Sequence, residues 1–228
     1  MQDQAQLKWE RVISTKQRFL VIRFCLQCLK TKKACICEWI TPISTEVELI
    51  ILQHPTEAKR PLGTAKILAL SLVNCRTFMG ENFTEHTDLN QLLADDNYQH
   101  QVLFLDGSSQ AISSSLGHVE KKQRVILLDG TWKKAYKMWQ LSTNLHALPK
   151  VHLDTKLSGN YRVRKAPKDN ALSTAEAGYH VLSQLDSEST HAIGTDKFGS
   201  ILTAFDNMIE FHISQMPEGV YQKNYRSE

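Results

Sequence analysis

No stretch of this 228-residue chain approaches the roughly 18 uninterrupted apolar residues that a membrane-spanning helix needs. The best short runs, Phe19 to Cys25 and Ile67 to Val73, are split by Arg23 or simply end. The opening residues Gln2, Asp3 and Gln4 do not follow the basic-then-apolar order of a cleaved secretory signal, so a soluble cytoplasmic protein without a membrane partner is expected. A strong charge of one sign is missing too. With 27 Lys and Arg against 24 Asp and Glu, the net charge of +3 does not announce a nucleic-acid binder, and any basic patch must come from local clustering. Disorder is excluded by composition, since 42% of residues are hydrophobic and only 22% charged. Low-complexity linkers are absent, and no obligate protein partner is evident.

Cysteine is scarce, but four of the five fall in one segment, Cys25, Cys28, Cys35 and Cys37, spaced C-x2-C-x6-C-x-C. A reducing compartment argues against disulfides. Two close thiol pairs joined by a short loop can supply the tetrahedron of soft ligands that zinc prefers, in place of a core too small to fold alone. The alternative is that reduced cysteines pack as small apolar side chains. Lys32 and Lys33 lie on the intervening loop, where they can meet phosphate. Cys75 is left over and is expected to be buried. The domain reading is residues 1–42 as an N-terminal segment with a zinc module, and residues 43–228 as an α/β body.

In the body, Val47 to Gln53 is an apolar, β-branched run that predicts the first core strand. A helix is expected over Pro61 to Val73, and helices near Leu89 to Ala94, Thr131 to Leu141, Ser173 to Leu185 and Lys197 to Ser214. Two segments, Val102 to Gly107 and Val125 to Gly130, are apolar runs ending in Asp-Gly. Such runs suit parallel strands covered on both faces, with ligands held beyond their carboxyl ends. Asp106 and Asp129 are therefore placed at the site edge. The fold class that follows is α/β, a mostly parallel sheet flanked by helices.

Several constellations can carry chemistry. Asp129-Gly130-Thr131-Trp132 falls at a strand-to-helix turn, where Gly130 allows close backbone approach and Thr131 can cap the helix. Asp129 either caps the helix start or, as the strand end favours, is an acid that faces the substrate. Trp132, Tyr136 and Trp139 form an i, i+4, i+7 stripe, more often core than stacking platform, and Lys133 lies beside it. Between Thr155 and Lys168 there are five basic residues and no acid. Arg162 and Arg164 share a side of an extended chain and can grip a phosphate or carboxylate together, while Tyr161, Lys165 and Lys168 offer stacking and charge. A solvated basic loop is the bland alternative. Ser173-Thr174-Ala175-Glu176 matches a capping box. His54, at the end of the first strand, could serve as a base, but a lone histidine at a strand end is more often a hydrogen-bonded structural residue.

Taken in order, these segments resemble the DTW-domain family of tRNA-uridine aminocarboxypropyltransferases. The likeness rests on the four cysteines, on Gln53 to Glu57 with Gly63-Thr64-Ala65, on Asp129 to Trp132, on Tyr161 to Arg164 and on Leu172 to Ala177. The resemblance implies a relative of the knotted SPOUT fold. It also implies transfer of the 3-amino-3-carboxypropyl group of S-adenosylmethionine to N3 of a uridine in tRNA, in the variable loop, with methylthioadenosine released. On that basis Asp129 orients the uridine or accepts its imide proton, with Thr131 and Trp132 shaping the pocket. Asp106, Gly107, Leu128, Gly130, Arg162, Arg164, Leu172, Ser173, Thr174 and Glu176 are expected around the co-substrate, with Arg162 or Arg164 on its carboxylate and Glu176 on its amine. Lys32, Lys33, His54, Lys133, Tyr161, Lys165 and Lys168 are expected on the tRNA side. The competing readings are a tRNA methyltransferase on the same scaffold and a non-catalytic zinc-containing RNA-binding module.

Overall fold

The computed structural model describes residues 23–117, 121–153, 172–186 and 196–225, without the side chains of residues 115–117 and 225. The basic segment with Tyr161, Arg162, Arg164, Lys165 and Lys168 lies outside the described residues. The chain divides into two compact units between Glu38 and Trp39. In the first, residues Cys25 to Lys30 fold into a tight knuckle in which Cys25 N–H donates to Lys30 O at 2.8 Å and Leu29 N–H to Cys25 O at 2.9 Å. Leu29 takes φ of 60° to close it, a left-handed conformation that costs an L-residue about 1–2 kcal/mol.

Among the described residues the second unit is built on six strands: β1 (Glu48–Gln53), β2 (Cys75–Met79), β3 (Tyr98–Leu103), β4 (Gln110–Ala111), β5 (Lys122–Asp129) and β6 (Lys150–His152). Their order is β2-β1-β5-β3-β6-β4, and every ladder is parallel. The expected parallel α/β sheet is therefore present. β1 and β5 are adjacent interior strands, and both are apolar over four consecutive positions because each is covered on both faces.

The helices of this unit among the described residues are α1 (Pro55–Ala58), α2 (Ala65–Ser71), α3 (Thr87–Leu93), α4 (Trp132–Leu141), α5 (Thr174–Leu185), α6 (Gly199–Ser214) and α7 (Val220–Tyr225). Alternation along the strands sends Ile50, Leu52, Val102 and Ile126 into one core with Leu89 of α3 and Met138 and Trp139 of α4. The intervening Leu49, Ile51, Val125 and Leu127 are buried too, and α5 packs on β5, with α2 and α6 packed on α5. The α2–α5 contact is close: a Cβ at Gly178 would stand 2.5 Å from Leu68 Cδ1, so glycine sets that spacing.

The β1–β5 ladder carries a polar pair at each end. At the amino end Glu48 is in register with Arg124, and at the carboxyl end Gln53 with Asp129. Register is thus pinned at both ends of an apolar stretch that could otherwise slip. Arg124, 2% exposed, binds Glu48 Oε2 through Nε at 2.8 Å and Nη2 at 2.6 Å. Its Nη1 donates to Leu92 O at 2.5 Å, its Cζ lies 3.6 Å over the Tyr98 ring, and Arg76 Nε holds the other Glu48 oxygen at 2.9 Å. Cys75 is partly rather than fully buried, and burial with the nearby Glu48 charge pushes its thiol up to about 12.

Two element boundaries and one helix cap differ from expectation. The helix expected from Pro61 begins at Ala65, because Pro61 to Thr64 turn sharply and Gly63 N–H donates to Arg60 O at 3.0 Å. β3 ends at Leu103, so Asp106 sits in the following loop rather than at a strand end. Thr131 occupies the N-cap position of α4 in extended backbone, yet its side chain makes no capping hydrogen bond. No helix of the described residues is long and apolar enough to cross a membrane.

Candidate active site

In an all-parallel sheet every carboxyl end lies at one edge, and the crevice beyond that edge is where ligands are held. Here it is a cleft of about 440 Å³ lined by Glu57, Arg60, Pro61, Leu62, Gly63, Thr64, Asp129, Gly130, Thr174 and His212. Asp129 ends β5 and is buried. Gln53 Nε2, from the adjacent end of β1, donates to its Oδ2 at 2.8 Å, and Thr174 Oγ1 donates to its Oδ1 at 2.5 Å. Its backbone carbonyl accepts from His54 N–H at 3.0 Å. The carboxylate is therefore fixed from two sides, by neighbours 76 and 45 residues away in sequence. A Cβ on Gly130 would meet Lys134 Cβ at 3.1 Å and Ala135 N at 3.3 Å, so glycine lets the turn fold directly onto the first turn of α4.

Thr174 owes its position to the start of α5. Ser173 Oγ accepts from Glu176 N–H at 3.2 Å and Glu176 Oε2 accepts from Ser173 N–H at 2.7 Å, the reciprocal capping box read from the sequence. Ala175 N–H donates to Thr64 Oγ1 at 3.3 Å, which ties this helix start to the turn before α2. Ser173 and Glu176, expected from the resemblance around the co-substrate, are buried and absent from the cleft lining, and their capping box holds Thr174 in place. Leu172 and Leu128, which immediately precede Ser173 and Asp129, are partly buried and are not among the residues that line the cleft.

The opposite wall comes from α1 and the turn after it. Glu57 is buried, with Lys134 Nζ on its Oε1 at 2.9 Å and Arg60 Nε on its Oε2 at 3.0 Å. Lys134 Nζ also reaches Thr56 Oγ1 at 2.5 Å. His54 caps α1: its Nδ1 accepts from Thr56 N–H at 3.2 Å, and its Nε2 lies 3.1 Å from Glu81 Oε1. Lys137 holds the other Glu81 oxygen at 2.7 Å, and this bond draws the Glu81 carboxyl below its usual range. Buried and engaged at both ring nitrogens, His54 is a structural cap and not the exposed RNA contact expected from the sequence.

Asp106 and Gly107 are not among the residues that line the cleft. Asp106 Oδ1 accepts from Ser108 N–H and Ser108 Oγ, both at 2.8 Å, and its Oδ2 pairs with Lys150. The Lys150 hydrogen bond and then the Ser108 amide hold its carboxyl at about 2, a loop-closing role. Along α4, Trp139 is core at 7% exposed and stacks on Phe104, whereas Trp132 at 55% and Tyr136 at 58% face outward one turn apart, beside exposed Lys133. The stripe expected to be mostly core is thus split at the helix's own periodicity. Glu57 and Arg60 are the site residues that sequence reading passed over. Spaced i, i+3, they look like an ordinary solvated pair, and only the short block Gln53 to Glu57 followed by Gly63 marked the neighbourhood.

In the first unit Cys25, Cys28, Cys35 and Cys37 bring four sulfurs within 4.8 Å of one another, a set that can hold one metal ion. Cys25 and Cys37 sulfurs are 3.6 Å apart and Cys28 and Cys35 sulfurs 3.7 Å, too long for disulfide bonds. The backbone N–H groups of Cys28 and then Gln27 point at the Cys25 sulfur and bring its thiol down to about 6, toward the thiolate that ligates metals. Lys32 and Lys33 are exposed on the short helical turn between the two pairs.

A family model described as the DTW domain matches residues 22–213. Among curated proteins, the chain is 31% identical over 170 residues to tRNA-uridine aminocarboxypropyltransferase 2 of Drosophila melanogaster, covering 72% of this chain and 66% of that protein. It is also 31% identical over 170 residues to the Mus musculus protein of the same name, covering 71% and 56%. To tRNA-uridine aminocarboxypropyltransferase A of Arabidopsis thaliana it is 25% identical over 217 residues, covering 83% and 80%. The chain thus spans less than two thirds of the length of the fly and mouse relatives. No solved structure matches.

Proposed function

We propose, from the premise that this chain belongs to the DTW-domain family, that it transfers the 3-amino-3-carboxypropyl group of S-adenosylmethionine to N3 of a tRNA uridine, releasing methylthioadenosine in the cytoplasm. The observation that carries the reading is Asp129: an acid of the family's D-x-T-W block, clamped by Gln53 and Thr174 at the rim of a parallel sheet. The cleft suits such a co-substrate, with the Asp129 carboxylate on its lining as a counter-charge for the cationic sulfonium. Its volume falls in the ordinary range of small-molecule sites.

A sulfonium is an excellent leaving group, so the work left to this chain is alignment and removal of one proton. Asp129 orients the imide of the uridine and takes the N3 proton, while Gly130 keeps the approach open. The exposed faces of Trp132 and Tyr136, with Lys133 beside them, offer unstacked tRNA bases a surface for stacking and phosphate contact. Thr131 sets the start of α4 directly after the Asp129-Gly130 rim.

The test is incubation with tRNA and S-adenosylmethionine labelled in either its carboxyl or its methyl carbon. Carboxyl label is expected in tRNA. Methyl label there would replace this reading with a methyltransferase, and label from neither would leave an RNA-binding module.

For the cysteine unit the proposed ion is zinc. Four thiolates at the usual Zn–S distance of about 2.3 Å define a tetrahedron with edges near 3.8 Å, close to the 3.6 and 3.7 Å separations of the two pairs. Zinc here would be structural, since a closed four-sulfur shell leaves no position for substrate. Native mass spectrometry is expected to show one zinc per chain, reduced to none in a Cys28→Ser, Cys35→Ser variant. A metal-free wild-type chain purified without chelator would sink this part.

A further inference from the structure

If the transferred group is the amino-acid arm of the co-substrate, some group must recognise that arm, and the sequence pointed to Arg162 or Arg164. The geometry points to Arg60: we infer that its guanidinium grips the carboxylate of the arm and is the specificity determinant of the cleft, an inference that rests on the aminocarboxypropyl-transfer reading above.

Charge is the first argument. Glu57 is buried and touched by two cations, Lys134 on Oε1 at 2.9 Å and Arg60 on Oε2 at 3.0 Å. One carboxylate cannot neutralise both, so this cluster leaves one positive charge over, while the other acid of the cleft, Asp129, is held by Gln53 and Thr174. Lys134 is the better buried of the two, its side chain 26% exposed against 48% for Arg60, and it is further tied to Thr56. The surplus charge therefore falls to Arg60.

Geometry is the second. Arg60 meets Glu57 through Nε alone. Its two terminal nitrogens make no hydrogen bond or ion pair among the described residues. A guanidinium anchored at Nε is oriented yet keeps its Nη fork, the part whose spacing matches a carboxylate. The backbone holds this position as well. Arg60 N–H donates to Glu57 O and Gly63 N–H to Arg60 O, both at 3.0 Å, and a Cβ at Gly63 would stand 3.2 Å from Glu57 O and 3.3 Å from Arg60 O. The turn that shortened the expected helix is thus the turn that sets Arg60 into the same cleft as Asp129. Glu57 is a positioning residue in this scheme, acting through Arg60.

The experiment compares three ligands by calorimetry on the full chain: S-adenosylmethionine, its decarboxylated analogue, which keeps the amine and sulfonium, and methylthioadenosine, which lacks the arm. Wild type is expected to bind S-adenosylmethionine about 10- to 100-fold more tightly than the decarboxylated analogue, the range of a charge-assisted hydrogen-bonded pair. Arg60→Ala is expected to abolish that preference while leaving methylthioadenosine affinity within about twofold. Arg60→Lys should restore part of it, as a point charge without the fork. Equal weakening of all three ligands in both variants would mark Arg60 as structural, and an unchanged preference would move the grip elsewhere. Either result overturns the inference. If wild type still carries carboxyl label into tRNA, the transferase reading survives that failure; if it carries none, both fall together.

Discussion

Asp129→Asn is expected to lower carboxyl-label transfer to tRNA by about 10²- to 10⁴-fold, the range for loss of a positioned general base, with S-adenosylmethionine still bound. Asparagine is the informative replacement because it keeps the shape of the clamp. Its amide oxygen can still accept from Thr174 Oγ1, and Gln53 can rotate its own amide to accept from the new NH2. What it cannot do is take a proton. Asp129→Ala removes clamp and base together and should fall at least as far. Single-turnover measurements with saturating tRNA separate chemistry from binding. Turnover in Asp129→Asn close to wild type would show that the acid only orients its neighbours, and the proton would have to leave by another route.

The second large effect is on stability. Arg124→Met is expected to destabilise the chain by about 3–5 kcal/mol, because it leaves Glu48 buried with its strongest partner removed. Arg76 remains on the other oxygen, but it is an exposed side chain and does not replace three donor contacts at the strand end. The double variant Glu48→Leu, Arg124→Met removes the stranded charge and should recover most of the loss. Urea unfolding at constant slope gives the comparison. If the double variant is no more stable than Arg124→Met alone, the loss is one of packing against Tyr98 and Leu92 rather than of an unpaired buried charge.

How much of this was legible in the sequence depends on how local each signal is. β5 and its terminal Asp129 were readable because an unbroken branched apolar run followed by Asp-Gly has few other uses in a parallel sheet. The twin run before Asp106 looked the same but ends its pairing at Leu103, since β6, its outer neighbour, meets it at only Val102 and Leu103. Tertiary pairing, invisible in a single segment, decided the difference. The capping box at Ser173 was legible for the opposite reason, being contained in four residues. Its consequence, Thr174 set against Asp129, was not, because it joins residues 45 apart. Glu57 and Arg60 escaped notice because a Glu–Arg pair one turn apart is ordinary on a surface, and only the return of the chain at Gly63 turns it inward.

The interior pairing of β1 with β5 forms late during synthesis. Gln53 and Asp129 are register partners 76 residues apart. At translation speeds of about 5–20 residues per second, β1 waits roughly 4 to 15 s for its inner neighbour to be made. Over that interval the strand can rest on β2, its other partner, but the edge meant for β5 stays open on the nascent polypeptide. The middle of the sheet, and the rim that holds the acid, thus close late on the ribosome.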